Sequence, residues 1–182
     1  MIDYMRKRET YIKFVNDFER IICKSSLNQR YSSIVFLCIG TDRITGDSFG
    51  PLVGYNLKKF YACNKIIKIV GDLENTVQSN NIEDKYNQIM NTYKKPFIIS
   101  IDSALSAQEN IGKIIVEEGG IELGSGLRKN KMSIGDMSIK GIVARNTNNS
   151  RCNFAMLQNT HLGLIISMVE IVANGIYNTF TF

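Results

Sequence analysis

The apolar positions of the chain change texture along its length, and each texture predicts an element. Over residues 10–24, Ile12, Val15, Phe18, Ile21 and Ile22 recur at helical spacing, which predicts an amphipathic N-terminal helix. SSIVFLCIG (32–40) is almost wholly apolar, the pattern of a central strand covered on both faces. FGPLVGYNLKKFY (49–61) reads as a helix with Pro51 near its first turn, where a missing N–H costs nothing. IIKIVG (66–71) predicts a second strand, 80–93 a polar helix, and PFIISID (96–102) a third apolar strand that ends in an aspartate. IGKIIVEEG (111–119) and SIKGIVA (138–144) predict two more strands. Between them lies the glycine-rich excursion GGIELGSGLRKNKMSIGDMS. Loops of such length in compact domains are usually functional or disordered. Phe154, Leu157, His161, Leu164, Met168, Ile171 and Gly175 then stand at heptad-like spacing and predict one long C-terminal helix with an apolar face.

Apolar strands alternating with helices predict an α/β fold with a mixed, largely parallel sheet and helices on both faces. In such folds ligands meet the carboxyl ends of the strands. The first strand runs into IGTDRITGDSFGP, which sets Asp42, Arg43 and Asp47 among Gly40, Gly46 and Gly50. Asp47 after the first strand and Asp102 at the end of the third therefore approach one edge of the sheet.

Composition adjusts this picture only a little. The chain has 182 residues, 44% of them hydrophobic and 21% charged, which suits a single globular domain over 1–182. The net charge of +5 comes partly from MRKRE and from LRKNK at 127–131. An acidic partner is one reading and a solvated surface with two basic loops is another. No aromatic-interleaved basic patch supports nucleic acid. Cys23, Cys38, Cys63 and Cys152 form no CxxC pair and no zinc spacing, so they read as reduced thiols, with Cys38 packed in a strand. No N-terminal signal peptide is evident, and no apolar run approaches the ~18–20 residues of a membrane span, which together predict a cytoplasmic protein.

The glycine loop is neither GxGxxG nor GxxxxGK[ST], and its carboxylates would repel phosphate. Nucleophilic catalysis has little support. No GxSxG elbow is present, Cys38 has no evident base beside it, and His161 falls on the apolar stripe of the last helix. A pair of carboxylates fits better. Two aspartates that share a proton supply a general base and a general acid, enough for peptide hydrolysis without a metal. Alternatively, Asp47, Asp102 and Asp136 together hold a divalent metal that activates water. A purely structural alternative has Asp47 capping the next helix and Asp102 capping a turn through Ser103. Arg43 binds a substrate carboxylate or carbonyl, or pairs internally with Asp42 or Asp47.

The segments LCIGTDRITGDSFGPLVG, FIISIDSALS and KMSIGDMSIKGIV resemble the signature segments of the YyaC family of sporulation proteins, described as spore proteases. The resemblance runs from about residue 32 to 172. That family looks related to the germination protease that degrades small acid-soluble spore proteins, and to the hydrogenase-maturation endopeptidases. The resemblance implies a three-layer α/β/α, phosphorylase/hydrolase-like fold. It also implies that Asp47 in GDSFGP and Asp102 in IDSAL are the catalytic pair of an endopeptidase. Asp42, Arg43, Gly46, Gly50, Ser103, Gly135 and Asp136 would order the loop or bind substrate, and the excursion at 119–136 would form one wall of the cleft. The maturation endopeptidases complete a metal triad with a histidine, for which Asp136 is the only counterpart here. That departure favours the metal-free pair. The implied partners are protein or peptide substrates such as small acid-soluble spore proteins, without a membrane, with self-association left open. A relative that has lost activity and binds spore proteins is the alternative from another class.

Overall fold

The computed structural model describes residues 4–28, 31–122 and 133–181. The basic LRKNK segment and the first three residues lie outside them. A five-stranded sheet has the order β2-β1-β3-β7-β4. Its strands are β1 (Ser33–Cys38), β2 (Ile67–Val70), β3 (Pro96–Ser106), β4 (Ile114–Glu118) and β7 (Met137–Arg145). All neighbours are parallel except β4, which runs antiparallel to β7. Within the glycine-rich excursion, β5 (Ile121–Glu122) pairs antiparallel with β6 (Ser133–Ile134) as a separate two-stranded sheet.

Alternation along β1 explains the layers. Phe36 and Cys38 join a core with Phe14 and Phe18 of α1 (Tyr4–Asn28), Phe49 and Val53 of α2 (Phe49–Phe60), and Met168 and Val172 of α5 (Leu162–Thr179). Val35 and Leu37 point the other way, to Ile82 and Ile89 of α3 (Ile82–Thr92) and to Ile134. Successive strand side chains face opposite sides, so a run with no polar residue is what a sheet covered twice requires. Each fully buried aliphatic side chain contributes about 1.5–3 kcal/mol.

Four expectations change. The N-terminal helix is longer than 10–24, running Tyr4–Asn28. The C-terminal helix is two helices, α4 (Ser150–Gln158) and α5, because α4 seats Leu157 on the loop after β1 while α5 lies on the sheet. His161 consequently sits at the N-cap of α5 and is exposed, not on an apolar stripe. Finally, α5 is long and apolar enough to pass for a membrane span, with 18 residues of mean hydropathy 1.3. It is a core helix here: Gly175 lets it approach α1 so closely that a Cβ would fall 2.6 Å from the Phe14 ring.

Candidate active site

The site begins where β1 ends. Ile39 N–H still donates to Ile101 O of β3 at 2.7 Å, but Gly40 N–H donates to Val77 O at 2.7 Å, so the chain leaves β3 there. Gly40 has φ +132°, and a Cβ on it would lie 2.1 Å from the carbonyl oxygen of Asp47. Only glycine accepts both conditions. Thr41 N–H then donates to that same Asp47 carbonyl at 3.1 Å, and Thr41 Oγ1 accepts from Arg43 N–H at 3.3 Å. Buried Thr41 thus closes the loop on itself and fixes the backbone of Asp47.

Asp47 lies in a single 3-10 turn, Thr45–Ser48, ahead of α2. Ser48, not Asp47, occupies the N-cap of α2, and no side chain caps it. The capping alternative for Asp47 therefore fails, and its carboxylate is directed elsewhere. Oδ1 accepts from Ser103 Oγ at 3.3 Å. The glycines that follow serve the protein's own packing. A Cβ on Gly46 would lie 2.9 Å from Cα of Leu157, and one on Gly50 would lie 2.0 Å from Ile39 O. They bring α4 and α2 onto the loop, not the loop onto a ligand.

Asp102 does not end its strand, as the sequence suggested. β3 continues to Ser106 because β7 is long enough to pair with it, whereas β1 stops at the Cys38–Ile101 pair. Asp102 is thus the first β3 residue past the end of β1. Its Oδ1 accepts from Ser103 N–H at 2.7 Å, so the local turn-type bond through Ser103 is present. It also faces a cleft of about 350 Å³ together with Asp47, Gly40, Thr41, Gln78, Ser79, Glu122 and the apolar Ile44, Ile82 and Ile121.

The electrostatics set the two acids apart. Burial, reinforced by the negative charge of Asp47, pushes Asp102 up to about 8, against smaller opposing effects of the Ser103 N–H and of Lys140. Lys140 stands opposite Asp102 in the β3–β7 register and its Nζ bonds Glu117 Oε2 at 2.7 Å. Burial also raises Asp47 above the ordinary carboxylate range, opposed by hydrogen bonds from Ser103 and from the Thr41 backbone. Both carboxyls are thus held above the ordinary carboxylate range, Asp102 the more strongly, and the two titrate as a coupled pair.

Other sequence candidates lie apart. Asp136 Oδ2 accepts from Ile98 N–H at 2.8 Å, and its own N–H donates to Ile98 O at 2.8 Å. Ile98 precedes Asp102 by four residues, roughly 13 Å at about 3.3 Å per residue. Asp136 thus extends the start of β3 as a backbone mimic and does not join the pair, correcting its place as a third ligand or cleft residue. Gly135 has φ +105° and packs against Ser100, also away from the cleft. Asp42 and Arg43 are exposed, and among the described residues neither forms an ion pair. The loop is ordered by Thr41 instead. The excursion does contribute Ile121 and Glu122 to the cleft wall.

Thr41, Gln78, Ser79, Glu122 and Lys140 escaped the sequence reading. Thr41 lies inside the IGTD motif and was within reach. The others arrive through chain crossings that no local pattern records.

A family model described as "Protein of unknown function (DUF1256)" matches residues 3–175. The chain belongs to the DUF1256 family. Over 156 residues it is 36% identical to "Uncharacterized protein YyaC" of Bacillus subtilis (strain 168), covering 85% of this chain and 74% of that protein. The structure superposes on the [NiFe] hydrogenase maturation protease HycI of Thermococcus kodakarensis KOD1 with a TM-score of 0.55. That match covers 84% of this chain and 94% of HycI at 18% identity, and shows a shared α/β fold.

A metal triad does not fit this member of the family. Asp136 and His161 are elsewhere, and among the described residues no group of three or more His, Cys, Asp or Glu could hold an ion. The cleft carries the carboxylates of Asp47, Asp102 and Glu122, and Ser103 joins the first two.

Proposed function

We propose that this protein is an endopeptidase of the sporulating cell or forespore cytoplasm that cleaves a small spore protein with Asp47 and Asp102. The observation that carries the reading is the meeting of two half-buried carboxyls, Asp47 and Asp102, joined through Ser103 and lining one cleft. A peptidase-like fold and membership of a family containing YyaC are consistent with it.

Burial and the nearby Asp47 charge favour the shared proton on Asp102, which gives Asp47 the role of base and Asp102 that of acid. Asp47 takes a proton from a water molecule, and the oxygen of that water attacks the scissile carbonyl carbon. Asp102 donates its proton to the carbonyl oxygen as negative charge develops there. Collapse of the tetrahedral intermediate breaks the C–N bond, the amide nitrogen takes a proton from Asp47, and the hydroxyl proton returns to Asp102. The pair ends as it began. Ser103 holds both carboxyls in register, which is a positioning role.

The test is incubation of the purified chain with a small acid-soluble spore protein, with and without chelator, beside Asp47→Asn and Asp102→Asn. Cleavage that survives chelator and is lost in both variants supports the pair. Cleavage lost with chelator would transfer the reading to a metal-dependent peptidase. Binding without cleavage, retained in Asp102→Asn, would make the protein an inactive relative that holds spore proteins.

A further inference from the structure

Asp102 through Ser106 pair with β7 on one side only, since β1 has already ended at Ile101. Among the described residues no strand runs along the other edge. The register with β7 shifts between Ala104 and Leu105, where β7 carries the extra residue Val143, and bonds on either side of the shift fix the direction of the backbone groups of β3. Ile101 O points to the β1 side, where it accepts from Ile39 N–H, and Ser106 O points to the β7 side, where it accepts from Asn146 N–H. Ser103 and Leu105 therefore turn their carbonyls, and Leu105 its N–H, toward the open edge. The Ser103 N–H is taken by Asp102 Oδ1. β1 does not grow to cover this edge, because Gly40 diverts the chain to Val77. An open parallel edge is a template for another extended chain.

We propose that the substrate binds as an extended segment added to this edge of β3, hydrogen-bonded to Ser103 O and Leu105. The occupant is argued from continuity. The edge starts at Asp102, which lines the cleft with Asp47, and at Ser103, which bonds Asp47, so a strand laid along it leads from Leu105 toward the carboxyl pair. That geometry selects unfolded or unstructured polypeptide, because a folded helix cannot offer backbone groups to a strand edge. The inference rests on the peptidase reading for its occupant, and the experiment separates the two.

The probe is a tiled set of 12-residue peptides covering one small acid-soluble spore protein, with binding read by fluorescence polarisation and cleavage by mass spectrometry. Leu105→Pro removes the edge-facing N–H and leaves the β7 ladder intact, a position where proline is tolerated. Leu105→Ala keeps that N–H and removes the same side chain. The bound peptides should weaken roughly five- to tenfold with Leu105→Pro relative to Leu105→Ala, the loss of one net hydrogen bond. Against the wild-type protein, N-methylation of successive peptide amides should weaken binding at every second position. Peptides cleaved without either effect overturn strand addition and leave the peptidase standing. Peptides bound with both effects but never cut support strand addition and overturn the peptidase. No binding by any peptide, or a second copy of the chain pairing there instead as a concentration-dependent dimer, overturns strand addition.

Discussion

Ser103 Oγ lies 3.3 Å from Asp47 Oδ1 and donates to it, while the same residue's N–H holds Asp102. One residue therefore ties a loop after β1 to the strand that carries the second acid. Ser103→Ala should remove the bond that holds Asp47 down, raising its pKa further. The low-pH limb of the proteolysis profile should move to higher pH and the plateau rate fall by about tenfold, within the range for a positioning group. A profile with unmoved limbs would reduce Ser103 to packing.

Replacement of either acid tests the division of roles. Asp47→Asn and Asp102→Asn should each lower kcat by roughly 10²–10⁴, the contribution of positioned proton transfer. The wild-type profile should be bell-shaped, with activity falling at high pH as Asp102 loses its proton near pH 8. Asp102→Asn should lose that alkaline limb from whatever rate remains.

Stability should carry the same titration. Asp102 binds its proton more tightly in the folded protein than in the unfolded chain, where its pKa is about 3.9. Between about pH 4 and 8 the folded state then holds the extra proton, so stability falls as pH rises across that window. Asp102→Asn removes its own share of the dependence and leaves that of Asp47, which burial also raises. It should melt near the wild type at pH 4 and above it at pH 8, by several degrees in a thermal scan. Equal melting temperatures at both pH values would mean that Asp102 is not enclosed as described.

Asp136→Ala should cost about 1 kcal/mol, the loss of a single backbone cap on Ile98, and so lower Tm by ~2–4 °C. Proteolysis should keep its rate and both limbs. A collapse of activity with stability retained would return Asp136 to the site.

Gly50→Ala addresses the scaffold. Its Cβ would lie 2.0 Å from Ile39 O and 2.9 Å from Ile101 O, backbone atoms that cannot swing aside. The variant should lose about 3 kcal/mol or more, read as a fall in the denaturation midpoint.

The local pattern in the sequence determined most of the elements and their layering. Apolar runs such as IVFLC and FIISI mark strands covered on both faces, and the glycine loop at the end of the first marks a candidate site. Asp47 and Asp102 were legible because strand ends meet at one edge of a parallel sheet. Tertiary structure decided the rest. Whether Asp136 joined them depended on the register of β7 against β3, which places its carboxylate on Ile98. Whether the last helix was one or two depended on Leu157 docking against Gly46. The raised pKa of Asp102 arises from burial and from the nearby Asp47 charge, and the unpaired edge beyond it arises because β1 is shorter than its neighbour β3, relations between segments distant in sequence. Periodicity reports how a segment is buried, and pairing across the sheet reports what it is buried against.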